Sequence, residues 1–366
     1  MTLHLYFANR FFRSFISVFL IFFAILFMVD LIEQIRRFGD TDATFGRVMA
    51  LTLLNVPQTL YRILPLIMIL ATLALFLGLA RSSELVVTRA SGRSALKSLT
   101  APVIIALLIG IFAVAGFNPI VAATTKQYEL MSGRLTGAGA STVSVTQEGL
   151  WLRQGSANGQ TVIHATRSNL DGTTLFDATF LGFDLDGRPT YRIEAQEAQL
   201  AIGAWQILGA KEWRFSNLEA IPEGAAFEAE KMSLASNLTR DQILDSFGTP
   251  SSIPIWELPN FIGHLESAGF SARIHRTFLH MELALPILLV AMVLVGAGFT
   301  MRHTRFGRTG FMVMLALALG FTLYFIRNFA AILGENGQIP VVLAAWGPPL
   351  AAVFLPLGLL LHLEDG

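Results

Sequence analysis

The chain alternates between long apolar runs and shorter polar stretches, and the runs fall into two groups of three. Each run is near the roughly 20 residues that an α-helix needs to cross the hydrocarbon of a bilayer. The pattern therefore predicts six transmembrane helices. In chain order, the runs cover about Phe15 to Val29, Leu51 to Ala80, Leu99 to Ala123, Phe278 to Thr300, Phe311 to Phe329 and Ile339 to Leu361.

The first apolar run has two possible interpretations, because Arg10 and Arg13 precede it. A basic start followed by an apolar core is also typical of a cleavable signal peptide. No small-x-small cleavage site follows the run, and Asp30 and Glu33 come instead. The sequence therefore favours an uncleaved transmembrane helix.

The segment between the two groups of runs has the period-two alternation of β-strands, as in Tyr191-Arg-Ile-Glu-Ala. Turn pairs recur along it, among them Asp171-Gly172 and Asp186-Gly187. Short strands separated by regular turns predict an all-β sandwich, jelly roll or barrel. The predicted organisation is helices one to three in residues 1–130, a β domain in 131–267 and helices four to six in 268–366.

Composition supports a membrane protein and removes several other classes. Of the 366 residues, 53% are hydrophobic and 14% are charged, whereas a soluble domain carries about 25% charged residues. A large soluble enzyme with an apolar core is the alternative, and the length of the uninterrupted runs disfavours it. The formal net charge of zero gives no sign of a nucleic-acid partner. The absence of cysteine excludes disulfides and thiolate chemistry.

The distribution of Lys and Arg predicts the orientation of the helices. Basic residues gather in the N-terminal tail, in the loop after helix two and in the loop after helix four. The positive-inside rule places these loops and both termini in the cytoplasm, so the β domain is expected on the periplasmic side. The first outer loop, with Arg36, Arg37 and Arg47, is a mild exception.

No catalytic motif is found. The nearest match to a P-loop runs from Gly92 to Ser98, but Leu96 stands where the second glycine must approach the phosphate. The histidines are scattered, and His275, His280 and Glu282 are better explained as interfacial residues than as metal ligands. No Gly-x-Ser-x-Gly nucleophile motif occurs. We therefore expect no catalytic residue, no metal and no cofactor on this chain.

The polar stretch after the second run is amphipathic. Leu85 and Val87 lie between the charged residues Arg81, Glu84 and Arg89. It can be read as a basic interfacial loop that holds the topology, or as a short cytoplasmic helix that docks a soluble partner and ends at a C-capping glycine. The acid favours docking, because a carboxylate gains nothing from anionic lipid. The residues alone leave both interpretations open.

The sequence of this stretch resembles the coupling-helix motif of the lipopolysaccharide export permeases, the LptF/LptG family. It reads Arg81-Ser-Ser-Glu-Leu-Val-Val-Thr-Arg-Ala-Ser-Gly92. It is nearer to the LptG branch, as is Gln147-Glu-Gly-Leu-Trp-Leu after helix three. The layout of three helices, a periplasmic β jelly roll and three helices extends the resemblance over the whole chain.

The resemblance implies a permease subunit of an ABC-type exporter in the bacterial inner membrane. Such a subunit pairs with an LptF-like permease and docks on an LptB-like ATPase dimer, which uses the ATP and Mg²⁺. LptC- and LptA-like proteins form the periplasmic bridge, and the cargo is lipopolysaccharide. The residues implied in ATPase coupling are Arg81, Glu84, Leu85, Arg89 and Gly92.

The resemblance also implies that basic residues near the outer ends of helices one to three, with a face of helix five, contact the phosphorylated cargo. The set is Arg36, Arg37, Arg62, Arg134, Tyr324 and Arg327. Arg36 and Arg37 can equally be snorkelling interfacial anchors, and Arg62 can pair with Asp30 or Glu33. Tyr324 and Arg327 also fit an aromatic belt. Asp30 departs from the family, which has a Lys there.

Two other functions compete with this one. The chain can be the LptF-like paralogue or an ABC permease for another amphiphile. It can also be a membrane anchor, structural or sensory, whose working part is the β domain; that class needs no ATPase partner.

Overall fold

The computed structural model describes residues 2–39, 44–84, 87–88, 94–136, 144–146, 149–156, 159–169, 172–215, 226–236, 238–239, 243, 249–301 and 309–365. The chain divides into two compact units. The helical unit contains Met1–Leu135, Ser251–Trp256 and Arg273–Gly366, and the β unit contains Thr136–Pro250 and Glu257–Ala272. The first boundary between the units falls after Leu135, one residue before α5 ends. The segment 251–256 belongs to the helical unit and precedes the predicted boundary at 267.

Long helices form the helical unit. A π-helical turn, Ala113–Phe117, joins α4 to α5, and a 48° bend separates α7 from α8. The short helix α6, Leu258–Ser267, belongs to the β unit. The other bounds are α1 Thr2–Phe38, α2 Phe45–Arg62, α3 Leu64–Arg81, α4 Ala95–Phe112, α5 Asn118–Thr136, α7 Arg273–Leu283, α8 Leu285–Thr300, α9 Thr309–Glu335 and α10 Val341–Asp365.

Membrane-spanning helices are confirmed. Among the described residues, five helices are long and apolar enough to cross a membrane, and the bent pair α7–α8 makes a sixth if it counts as one span. The predicted second run is divided at Ile63, because Pro65 cannot donate a backbone hydrogen bond and disfavours the helical conformation before it. Helix α5 continues beyond the end of the third apolar run near Ala123, to Thr136, through polar residues that still favour a helix.

Helix α8 lies at the centre of the helical unit and contacts α3, α4, α9 and α10. Its residues Met292, Val293 and Val295 have no exposed surface. Helices α1, α9 and α10 instead present large apolar side chains outward, such as Phe325, of which 70% is exposed. In water this surface would be unfavourable. In a bilayer it faces lipid or a second membrane subunit.

The β unit is an antiparallel sheet of seven described strands in the order β1 to β7, so each strand pairs with the next one along the chain. Its buried face is formed by alternate residues such as Ile163, Phe180, Ile207 and Trp205. The strands are β1 Ser144–Thr146, β2 Gly149–Ser156, β3 Gly159–Ser168, β4 Thr174–Phe183, β5 Pro189–Ala201, β6 Ala204–Arg214 and β7 Phe227–Ala235.

The inserted antiparallel sheet is thus confirmed, although its unit also contains the helix α6, and the jelly roll is not confirmed. A jelly roll has two facing sheets joined by crossover connections, whereas the described strands form a meander. Short turns produce this order: Ala201 pairs with Ala204 across two residues, one of which is Gly203 with a φ of 80°. A turn of that length leaves the following strand no alternative neighbour.

Close packing of α4 against α8 yields a stability prediction. A Cβ atom on Gly110 would lie 2.5 Å from the Cα atom of Pro286, so an added methyl group must push two helix backbones apart. We expect Gly110→Ala to lower the stability of the helical unit by about 1–3 kcal/mol and to lower the thermal unfolding midpoint in detergent.

Gly298→Ala in α8 is the matched control, because nothing lies within 4 Å of its Cβ position. That variant is expected to unfold at the wild-type temperature or slightly above it. Equal midpoints for the two variants would contradict the described packing.

Candidate functional site

A cavity of about 540 Å³, lined by both polar and apolar side chains, lies in the helical unit between α2, α3, α5, α7, α8 and α9. It brings together three of the predicted substrate residues, Arg62, Tyr324 and Arg327. It also contains charged and amide side chains that the sequence analysis did not assign, namely Gln58, Asn118, Glu282, Asn328 and Glu335.

Glu282 is the buried charge of this cavity, with 5% of its surface exposed. The Tyr61 hydroxyl donates to its Oε2 atom, and the Asn118 Nδ2 atom donates to the same oxygen at 3.2 Å. A buried carboxylate is costly unless hydrogen bonds replace its water. The two donors therefore explain how an acid is held within a membrane-spanning segment.

Arg62 and Arg327 line the same cavity, and neither forms a salt bridge with any described residue. The pairing of Arg62 with Asp30 or Glu33 is therefore wrong. The Asn55 Nδ2 atom donates to Asp30 Oδ1 at 2.6 Å, and Glu33 is occupied by another arginine. Two guanidinium groups that face a cavity without an ion pair provide bidentate donors for an anion.

The other three predicted substrate residues lie outside this cavity and are exposed. Arg36 forms an ion pair with Glu33, with 2.9 Å between Nη2 and Oε2. Arg37 donates from Nη1 to the Tyr128 hydroxyl on α5 at 3.2 Å. Arg134 lies near the end of α5. We refer to these three arginines, two in the last turn of α1 and one near the end of α5, as the second basic region.

The predicted coupling acid, Glu84, is held by residues of α1. Arg10 Nη1 donates to Oε1 at 2.6 Å and to Oε2 at 2.7 Å. The Tyr6 hydroxyl donates to Oε2 at 2.7 Å, and the Ser82 hydroxyl donates to Oε1 at 2.7 Å. The hydrogen bond from Arg10, followed by those from Tyr6 and Ser82, lowers the pKa of Glu84 to about 2.

The rest of the predicted coupling helix is described only in part. Val87 N donates to Ser83 O at 3.2 Å, which is the bond of one helical turn. Arg81 is exposed at the end of α3. Leu85, Arg89 and Gly92 lie outside the described residues, so the extent of the helix to residue 92 stays a prediction.

Sequence reasoning missed Tyr61, Asn118 and Glu282. It expected His275 and Glu282 at the membrane interface, and that expectation stays a prediction. In the structure each is only 5% exposed, because α7 packs against α9 and α10 in the interior of the unit. One signal was available, because an acid beside an apolar span marks a functional position by default. Among the described residues, no group of three or more His, Asp or Glu side chains is placed to hold a metal.

The fold and the cavity define a multi-pass membrane protein that carries an antiparallel β unit between its helices. The family model for the lipopolysaccharide export system permease LptF/LptG matches residues 5–362, and the chain belongs to this family. It is similar to the lipopolysaccharide export system permease protein LptG of Escherichia coli K12 and to that of Escherichia coli O6:H1. Each is 23% identical over 349 residues, which is 92% of this chain and 91% of the relative. The resemblance predicted from the coupling motif is thereby confirmed, and the chain is a transport component of the inner membrane rather than a catalytic one.

The Glu84 contacts generate a pH prediction. Because the folded pKa lies below the ordinary value of 4.5, the contacts stabilise the protein fully above about pH 4.5. That stability is lost as the pH falls towards 2. Both side chains are one-third exposed, so the contribution is about 1 kcal/mol or less. We expect Arg10→Met to raise the pKa of Glu84 towards 4.5, as followed by infrared titration of the carboxylate band against a Glu84→Gln reference.

Arg13→Met is the matched control for this titration. Arg13 is an exposed arginine three residues further along α1 and does not contact Glu84. A carboxylate that titrates identically in the Arg10 and Arg13 variants would show that Arg10 does not set this pKa.

Proposed function

We propose that this chain is the LptG-type permease subunit of an ABC-type exporter, which extracts lipopolysaccharide from the inner membrane and passes it to a periplasmic bridge. The observation that carries the proposal is the cavity between the helices, where Arg62 and Arg327 face open space without an ion pair. The family and the names of the two relatives supply the cargo.

The cavity suits one phosphorylated part of the cargo rather than the whole amphiphile. Its volume of about 540 Å³ is in the range of small-molecule sites. A phosphate binds Arg62, which is exposed, and Arg327, which is half-buried, through charge-assisted hydrogen bonds. Tyr324 lies beside them and adds a hydroxyl and an aromatic face. The acyl chains stay in the lipid outside the helices.

The second basic region, Arg36, Arg37 and Arg134, serves as an additional contact for the phosphorylated cargo in this proposal. The three side chains are exposed and so remain available. The ion pair of Arg36 with Glu33 is 78% and 53% exposed at its two ends, and such a pair is weak enough for a phosphate to replace.

ATP and Mg²⁺ act on an LptB-like ATPase dimer, which binds the segment around Arg81, Glu84, Leu85, Arg89 and Gly92. Glu84 is connected to α1 through Arg10 and Tyr6. A displacement of the segment by the ATPase therefore pulls directly on α1. An LptF-like permease covers the apolar faces of the outer helices. LptC- and LptA-like proteins continue the path from a β domain on the periplasmic side, with both termini in the cytoplasm.

The competing functions make different demands. A membrane anchor for a β domain needs no cavity with unpaired guanidinium groups, so Arg62 and Arg327 favour a transport subunit. An LptF-like paralogue or a permease for another amphiphile fits the same cavity. Co-purification with the second permease subunit and identification of the bound lipid separate these two from the proposed function.

The cargo is tested by photocross-linking in cells with p-benzoylphenylalanine at position 324. We expect adducts with lipopolysaccharide, and a several-fold loss of adducts when Arg327→Gln removes the proposed phosphate contact. Position 329 is the control, because Phe329 is on the same helix and exposed but does not line the cavity. Equal yields at the two positions would argue against the cavity as the binding site.

The coupling role is tested with Glu84→Ala in the assembled exporter. We expect weaker co-purification of the ATPase and at least a tenfold loss of lipopolysaccharide release, because the segment loses its contact with α1. Glu230→Ala, an exposed acid on β7, is the control and should leave both unchanged. Normal ATPase binding and release in the Glu84 variant would remove Glu84 from the proposed role.

A further inference from the structure

The six residues that follow the first part of the β unit, Ser251–Trp256, belong to the helical unit. We refer to them as the return segment. It is attached by three hydrogen bonds: Gln58 Nε2 to Ser251 Oγ at 3.0 Å, Ile255 N to Asn118 Oδ1 at 3.0 Å, and Trp256 Nε1 to Ala115 O at 3.2 Å. The return segment is therefore joined to α2, to the π-helical turn and to the first residue of α5.

The bond from Trp256 replaces a backbone hydrogen bond that is missing from the helix at Ala115. Pro119 has no N–H group, so the carbonyl of Ala115, four residues earlier, loses its α-helical donor. Trp256 supplies an indole N–H to that oxygen. The π-helical turn Ala113–Phe117 immediately precedes Asn118, whose own N–H bonds to Ala113 O. A turn of this kind changes the direction in which the next side chains point, and here it presents Asn118 to two partners at once.

The amide of Asn118 joins the cavity to the return segment. Its Oδ1 atom accepts from Ile255 N, and its Nδ2 atom donates to Glu282 Oε2. The orientation of the amide is fixed, because a backbone N–H can only donate and therefore requires the oxygen. Asn118, Ile255 and Glu282 are each no more than 5% exposed. With little water present, a movement of Glu282 that breaks one of these bonds forces the other to adjust.

We infer that Asn118 is a positioning residue that links the ligand state of the cavity to the return segment. The inference rests on the proposed function only for the identity of the ligand. An anion held by Arg62 and Arg327 offsets the positive charge of Arg327, which otherwise attracts the Glu282 carboxylate, and it also repels that carboxylate in the same cavity. Glu282 then moves away from Asn118 Nδ2, the amide turns, and the hydrogen bond to Ile255 weakens. The residues that lead back from the β unit thus respond to an anion they do not touch.

Hydrogen–deuterium exchange of the return segment tests the link without any ligand. The samples are the full chain in its exporter complex in lipid nanodiscs, as wild type, Glu282→Leu and Glu282→Gln. Leucine has a similar volume but offers no acceptor to Asn118. Exchange of the Ile255 amide should therefore become about tenfold faster, which is the effect expected when one buried hydrogen bond is lost. Glutamine keeps an acceptor oxygen for Tyr61 and Asn118, so exchange should stay at the wild-type rate. Wild-type exchange in the leucine variant overturns the inference.

The second arm adds lipopolysaccharide to the native complex and measures exchange and cross-linking from position 324 in parallel. We expect cross-linking together with severalfold faster exchange of the return segment, and no acceleration in Glu282→Gln, whose neutral side chain the anion does not repel. Cross-linking without faster exchange overturns the inference while the proposed function stands. If cross-linking fails but the leucine variant exchanges faster, the proposed function fails and the link from Glu282 to the return segment stands. The native complex decides the question even if the leucine variant does not fold.

Asn336→Ala is the control for both arms, because Asn336 is exposed and lies outside the cavity lining. It should reproduce the wild-type exchange with and without lipopolysaccharide. If Asn118 were only structural, lipopolysaccharide would not change the exchange rate of the return segment. The inference requires that change, and it requires Glu282→Gln to abolish the change while the rate without lipopolysaccharide stays the same.

Discussion

Within hydrocarbon, every backbone polar group needs a partner from the protein, because no water is present to supply one. Most of the helical unit meets this requirement with uninterrupted α-helix. The junction of α4 and α5 does not, since Pro119 removes a donor and the helix shifts into a π-helical turn. The indole of Trp256, from a different part of the chain, donates to the carbonyl that is left over. The bond to this carbonyl is therefore one of the contacts that attach the chain after the β unit to the helical unit.

Ionisable side chains within the helical unit also need partners. Those with partners from the protein serve the fold, and those without are candidates for binding a ligand. Glu282 accepts two hydrogen bonds from its own helical unit, and these reduce the free-energy cost of burying its carboxyl group. Arg62 and Arg327 border the same cavity and form no salt bridge with the described residues. Arg62 is exposed, and Arg327 is near enough to Glu282 to attract it electrostatically. An acid that is satisfied internally holds helices together. A guanidinium group without a salt bridge to the protein is free to bind an anion from outside. The proposed function therefore rests on the two arginines.

Hydropathy alone was sufficient to predict the membrane-spanning helices and the inserted β domain, because both depend on local periodicity. It did not predict the features that depend on contacts between distant residues, such as strand order and side-chain partners. The interruption at Ile63 lies inside one apolar run, so a hydropathy count treats α2 and α3 as a single span. The strand order of the β unit depends on the length of each connection rather than on alternation. Arg62, Tyr324 and Arg327 were chosen by family resemblance and do line one cavity, whereas Asn118 lies within the third apolar run and was assigned no role. Only the π-helical turn gives that residue its two partners.

The helices differ in how they transmit a displacement, and this difference follows from their backbones. Helix α1 is continuous over 37 residues, a length of about 55 Å at 1.5 Å per residue. Its first turns hold Glu84 through Arg10, and its last turn carries Arg37, which reaches Tyr128 on α5. A push at one end of an uninterrupted helix arrives at the other end. The α4–α5 pair contains a π-helical turn and a proline, and such a helix absorbs movement locally and passes it sideways to whatever is bonded at the break. In this chain the group bonded there is the return segment, through Trp256, so a displacement at the break acts on the residues that follow the β unit.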